Sequence, residues 1–309
     1  MMLKAYVYSD KEIAIVSGFT QAQIDKARVK CPFDSPHGNS PEAAATADVF
    51  WIPIDLGHWE AYHGGARSIA AGLPKLSHWA GRERRHVAYF CSDGAEPTGL
   101  PCIMFRQSFN RQRQDENAVA WPYAVEDFGY LYTDDFSTLP YDVSFVGSKA
   151  SHKCRTESFD SVARTPELKS FLDDSKMHWG SIEHTTIGDL RKQLFIDSMQ
   201  DSALVLAARG GGLSCYRFFE AMSAGRVPVL LADDWVLPNS DLIEWENIII
   251  QIPECRARET GSILLEFLRR ISDEELAWMG KCCRTAWREY LAPAQWPKMM
   301  ERCVKERLK

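Results

Sequence analysis

Residues 202–245 read SALVLAARGGGLSCYRFFEAMSAGRVPVLLADDWVLPNSDLIEW, and this stretch decides the fold. An apolar run, Ala203 to Ala207, leads into a loop from Arg209 to Gly212, then a helix from Cys215 to Ala224, then a second apolar run, Val227 to Leu231. Strand, loop, helix, strand is the repeating unit of a parallel α/β sheet. The three glycines permit positive φ and let backbone N–H groups come close to a ligand. The helix N-terminus adds unpaired N–H groups and the positive end of the macrodipole. Ligands of open α/β sheets bind beyond the carboxyl ends of the strands. The pattern therefore has the chemistry needed to hold a pyrophosphate.

Two arginines sharpen this reading. Arg209 precedes Gly211 and Gly212, and Arg217 lies in the first helical turn, past Ser214. A cation at a helix N-terminus opposes the dipole unless an anion sits between, and a guanidinium binds phosphate in a planar, bidentate way. The structural alternative is pairing with carboxylates such as Asp201 or Glu220. One turn on, Glu220 stands among Phe218, Phe219, Ala221 and Met222, so it is expected to look into a partly closed crevice, where a carboxylate accepts hydrogen bonds from ribose hydroxyls. The alternative there is a solvated helix face. Asp234 is expected near a donor sugar or as the cap of the next turn.

Outward from this segment, apolar runs continue to alternate with polar ones. Expected strands are Leu3 to Tyr8, Ala47 to Ile54, His86 to Cys91, Cys102 to Phe105 and Val143 to Gly147, with a short one from Lys176 to Trp179. Expected helices are Ala66 to Trp79, interrupted near Pro74, then His152 to Leu172 and Ile187 to Met199. Ser272 and Glu275 form a capping box opening a helix toward Tyr290. The polar, Pro-containing stretch TDDFSTLPYD suggests a boundary, giving an N-terminal Rossmann-like domain over 1–140 and a C-terminal one over 141–309 with a helical tail.

The chain has 309 residues, 45% hydrophobic and 25% charged, with a formal charge of −6. These are globular values for a chain of two domains. Mild acidity argues against nucleic acid as a partner. No apolar run approaches the roughly 20 residues of a membrane span, and the N-terminus lacks a signal-peptide pattern. The expected location is cytoplasmic, at most peripheral to the inner membrane face. Nine cysteines occur without CxxC or zinc-finger spacing, so no structural metal site is expected and all nine are read as small buried hydrophobes.

The order Ser214, Tyr216, Arg217, Glu220, Ala221, then Ala224, Gly225, Pro228, Val229, then Pro238, Ser240 and Trp245 resembles the donor-binding domain of the exostosin family of glycosyltransferases (GT47). Fainter echoes are Tyr6-Val7-Tyr8, Ala47 to Pro53, and Phe145-Val146-Gly147. The resemblance implies a GT-B architecture, two Rossmann-like domains facing across a cleft. It implies inverting transfer of a sugar (hexosyl, glucuronosyl or pentosyl) from a nucleotide diphosphate donor, UDP-linked as a rule, to an oligosaccharide or polysaccharide hydroxyl. It would put Arg209 and Arg217 on the diphosphate, Glu220 on the ribose and the Asp233-Asp234-Trp235 turn near the donor sugar. Animal members are membrane-anchored and act on heparan sulfate, and plant members act on wall polysaccharides; this chain is expected to be a soluble, bacterial-type member. No cofactor is required by the resemblance, although Mn2+ or Mg2+ stays open. Two other classes share the fold: a non-catalytic nucleotide- or carbohydrate-binding protein, and a nucleotide-sugar epimerase or hydrolase.

Inversion needs a base for the acceptor hydroxyl. Asp93, in the Asp93-Gly94 turn after one strand, is the first candidate, and Asp55, after another, the second. His37, His58 and His63 also stand in loop-like contexts. Trp51, Trp59, Trp79 and Tyr62 are platforms for acceptor sugar rings or parts of the core.

Overall fold

The computed structural model describes residues 2–35, 38–63, 65–92, 99–113, 115–176 and 185–309. The chain divides into two compact units, Met1–Pro122 with Ala294–Lys309, and Tyr123–Pro293.

The first unit begins with β1 (Ala5–Val7), α1 (Asp10–Ser17), α2 (Gln21–Ala27), α3 (Pro41–Thr46), β2 (Val49–Asp55), α4 (Leu56–Tyr62) and α5 (Ala66–Gly72). It continues with β3 (His86–Phe90), β4 (Ile103–Arg106) and β5 (Ala118–Ala120). The strands make one parallel sheet in simple sequence order, β1 to β5. β2 is buried along its whole length, as a near-continuous apolar run in a covered parallel sheet must be. Pro53 cannot donate to a ladder, and the β2–β3 register shifts between Trp51 and Asp55. Phe50, Ile52 and Ile54 pack with Ile13, Ile24, Trp59, Ile69, Leu73 and Trp79 in the core.

The second unit holds β6 (Tyr141–Gly147), α6 (Lys153–Ala163), β7 (Ser170–Asp174), α7 (Thr186–Gln200), β8 (Ser202–Ala208), α8 (Tyr216–Ser223) and β9 (Val227–Leu231). After these come α9 (Trp245–Ile248), β10 (Ile250–Gln251), α10 (Thr260–Leu268) and α11 (Asp273–Ala286). α12 (Trp296–Arg307) closes the chain. The sheet order is β10-β9-β8-β6-β7, all parallel. From β6 the chain runs to β7 on one side, then returns to β8 on the other. Strand order therefore reverses between β6 and β8, which is where a doubly wound sheet opens a crevice. The first unit's sheet has no such reversal among its described strands.

Several expectations need correction. The boundary falls at Pro122/Tyr123, not 140/141. Phe128 and Leu131 pack with Met199, Val205, Ala221 and Ala224, and Phe136 joins the core around β6 and β8, so the polar look of this stretch hides three buried anchors. The chain's end is not a tail of the second unit: Trp296 packs on Trp121 and Tyr89, Glu301 accepts from the Leu3 N–H at 2.8 Å, and Arg307 donates to Ala118 O at 3.0 Å. The helix expected over His152 to Leu172 stops at Ala163, and β7 takes 170–174. Pro166 disfavours a helical Thr165 before it, and Thr165 Oγ1 turns back to Ser161 O. Lys176 lies outside any strand, and the rest of the strand expected at Lys176 to Trp179 lies outside the described residues. Of the nine cysteines, Cys102, Cys154, Cys283 and Cys303 are buried, whereas Cys255 is exposed.

Arg226, before β9, is fully buried. Its Nε donates to Met199 O at 2.8 Å, and Nη2 to Leu131 O at 2.8 Å and Gln200 O at 3.0 Å. One side chain thus satisfies three carbonyls from segments far apart in sequence. Arg226→Leu leaves them unpaired in the interior. With about 1–3 kcal/mol for each stranded group, a loss of about 3 kcal/mol or more is expected, read as a lower urea midpoint. An unchanged midpoint would show that water replaces the guanidinium freely.

Candidate functional site

The reversal point is lined by arginines. Arg155, buried on α6, donates from Nε and Nη2 to Ala208 O at 3.0 and 2.7 Å, and from Nη1 to Ser148 O at 3.4 Å. It therefore bridges the ends of β8 and β6. Arg217, in the first turn of α8, donates from Nη2 to Val146 O at 2.6 Å and lies 4.3 Å over the Phe145 ring. Its Nε is buried with no hydrogen-bond partner among the described residues. Burial first, and then the Arg155 charge, push the Arg217 guanidinium down to about 10. Burial also lowers Arg155. Two half-desolvated cations side by side, one with a buried N–H unmet, form a place for an anion.

Glycine serves this site in an unexpected way. None of Gly210, Gly211 and Gly212 has positive φ, so the loop does not depend on left-handed backbone. A Cβ on Gly210 would come 3.2 Å from Arg155 Nη2, while one on the exposed Gly211 would meet nothing within 4 Å; Gly212 is buried. The glycine under constraint is Gly147, at φ 147°, where a Cβ would sit 2.6 Å from Arg217 Nη2. No side chain caps the start of α8 at Cys215. Arg209 donates from Nη2 to Gly211 O at 3.4 Å and stands 3.6 Å from Glu254. Ser214 is buried beside this loop.

Glu220 is half-buried. Among the described residues no hydrogen bond or ion pair reaches its carboxylate. Burial is the main cause of its pKa rising to about 7, partly offset by Arg217. The apolar face of α8 fixes this geometry: Phe218 and Phe219 are fully buried and meet Trp235 edge-on at 5.1 and 5.8 Å. Each such ring is worth roughly 1.5–3 kcal/mol of burial. Trp245 packs on Phe218 at 5.5 Å and donates from Nε1 to Pro238 O at 3.2 Å, while Ser240 Oγ donates to Leu237 O at 2.7 Å. The Pro-x-Ser motif with its Trp is therefore a brace for α8. Asp234 is half-buried in the turn after β9. Its neighbour Asp233 accepts from the Glu254 N–H at 2.9 Å.

The remaining candidates belong to the first unit. Asp55 is buried and caps α4. Its Oδ1 accepts from the N–H groups of Gly57 and Cys91, both at 2.8 Å, and its Oδ2 lies 3.4 Å from His58 Nδ1. One carboxylate oxygen thus ties the end of β2 to the end of β3. Asp93 and His37 lie outside the described residues. His63 packs its ring 5.1 Å from Phe19. Trp51, Trp59 and Trp79 are buried in the core, which leaves Tyr62 as the exposed aromatic of the four. Arg155 was missed in the sequence; the signal was an arginine in the first turn of the helix that follows a strand ending in glycine.

The description "Exostosin GT47 domain" matches residues 136–267. The exostosin-1 homolog of Caenorhabditis elegans is 35% identical over 72 residues, covering 23% of this chain and 19% of that protein. Exostosin-2 of Bos taurus is 30% identical over 92 residues, covering 30% of this chain and 12% of that protein. The chain thus spans a fifth or less of the length of these relatives. A glycosyltransferase from Rickettsia africae matches 99% of this chain and 98% of its own at a TM-score of 0.50 and 8% identity, a likeness of fold. Each unit is a parallel-sheet α/β unit, the kind from which a GT-B fold is built. Among the described residues no helix is long and apolar enough to cross a membrane.

The Glu220 shift has a sign that can be measured. Below about pH 4.5 the carboxyl is protonated folded or unfolded; between there and about 7 the folded chain keeps a proton the unfolded chain has released. Stability contributed by this group therefore falls as pH rises through that window and stays low above it. Glu220→Gln removes the penalty. Its melting temperature relative to wild type should climb between pH 4.5 and pH 8; a difference independent of pH would contradict the shift.

Proposed function

We propose that this chain, which carries an exostosin GT47 domain over residues 136–267, transfers a sugar from a UDP-linked donor to a glycan hydroxyl with inversion at the anomeric carbon. One observation carries the reading: Arg155 and Arg217 are held against the ends of β8 and β6, where strand order reverses, with the Arg217 Nε unmet. A diphosphate there accepts from both guanidiniums, from Arg209 and from the open N–H groups at the start of α8, beside Gly211, Gly212 and Ser214. Ribose hydroxyls donate to Glu220, and Asp234 lies toward the donor sugar.

In this reading the same cations stabilise the charge that grows on the departing diphosphate. They are fixed before the reaction by strand-end carbonyls and by Phe145, so little reorganisation is needed as the bond breaks. The guanidiniums and the helix end do the electrostatic work without a protein-bound metal ion; Mn2+ or Mg2+ would arrive, if at all, with the diphosphate. The acceptor proton goes to a carboxylate base. Asp93 takes this role ahead of Asp55, whose Oδ1 is already committed to two backbone N–H groups.

Two variants separate binding from chemistry. Glu220→Ala should weaken UDP binding in calorimetry by about 1.5–3 kcal/mol, the worth of a hydrogen bond to a charged group, with folding preserved. Asp93→Asn should leave UDP affinity near wild type and slow transfer by about 10²–10⁴-fold. Intact UDP affinity in Glu220→Ala would remove the ribose role. Near-normal turnover in Asp93→Asn would pass the base to Asp55 or a histidine.

A further inference from the structure

Beside the arginine cradle three potential metal ligands converge from distant parts of the sequence. His152 precedes α6, Cys154 lies in its first turn, and Glu254 follows β10. One imidazole nitrogen, the thiol sulfur and one carboxylate oxygen lie within 4.8 Å of one another. His152 Nδ1 is 3.1 Å from Cys154 Sγ and accepts from the Cys154 N–H at 3.3 Å. The sulfur is buried, and its other polar neighbour is Leu231 O at 3.9 Å. Glu254 Oε1 accepts from the Asp233 N–H at 3.1 Å and pairs with Arg209 at 3.6 Å.

We propose that His152, Cys154 and Glu254 form an open three-ligand site for Zn2+. Mixed sulfur, nitrogen and oxygen donors suit this borderline ion and not Mg2+ or Mn2+, which prefer oxygen alone. A thiol binds a metal as the thiolate, so Cys154 gives up its proton on binding. Binding is then a balanced exchange: Zn2+ enters, the S–H bond breaks, the sulfur keeps the electron pair and binds the metal, and one proton leaves to water. Zn2+ with a thiolate and a carboxylate is neutral overall, which limits its repulsion with Arg155 and Arg209. Three protein ligands leave a fourth position for water. Glu254 is drawn from Arg209 toward the metal.

Co2+ titration of the intact chain reads this directly, since cobalt bound to thiolate gives a charge-transfer absorption. One equivalent per chain is expected, displaced by Zn2+, with apparent affinity rising about tenfold per pH unit as the single proton is released. Cys154→Ser should abolish the band. His152→Asn, which keeps a good helix cap, should weaken binding at least about 10–100-fold, since even indirect partners of a metal cost that much. Glu254→Gln should weaken it similarly, and Cys255→Ser, removing the exposed neighbouring thiol, should change nothing. Melting curves without metal establish that each variant is folded. Absence of a stoichiometric band, a band that survives Cys154→Ser, or one lost in Cys255→Ser would overturn the site.

Discussion

The grip of two guanidiniums on strand-end carbonyls organises the second unit. Arg217 holds Val146 O, and Arg155 holds Ala208 O. Those carbonyls end β6 and β8, the neighbours between which strand order reverses. The last carbonyls of a strand have no further ladder partner, so a guanidinium is a natural acceptor's match, and it brings a fixed positive charge to the mouth of the crevice. At Gly147, whose φ is 147°, a Cβ would sit 2.6 Å from Arg217 Nη2. The aromatic brace of Phe218, Phe219, Trp235 and Trp245 keeps α8, and therefore Arg217, in place.

This arrangement has a cost that favours binding. Burial and mutual repulsion lower the Arg217 pKa, and burial raises that of Glu220 one turn on. Both shifts mark groups whose charged forms lack full solvation. An anion beside the guanidiniums and hydroxyl donors beside the carboxylate would supply what the protein withholds. The nucleoside diphosphate proposed as ligand carries both.

Much of this could be read in the sequence wherever the message was local. β9 was placed residue for residue, and β6 and β8 to within two residues, because buried parallel strands are continuous apolar runs. The placing of Arg217 and Glu220 one turn apart on α8 followed from helical spacing. What escaped was the work of distant pairs. Arg155 looks like an ordinary helix cation until β8 arrives 53 residues later with a carbonyl to hold. Glu254 lies 100 residues beyond Cys154, so no spacing rule could join them. The division between units was misplaced because Phe128, Leu131 and Phe136 are spread through a polar stretch, and three isolated anchors make no periodic pattern.

Amide hydrogen exchange with and without UDP tests the siting of the donor most directly. Protection should appear at the end of β6 (146–149), in the loop after β8 (209–212) and in the first turn of α8 (215–218), because these backbone groups surround the arginines. Protection confined to the first unit, or none at saturating UDP, would contradict a donor site at the reversal point of the second sheet.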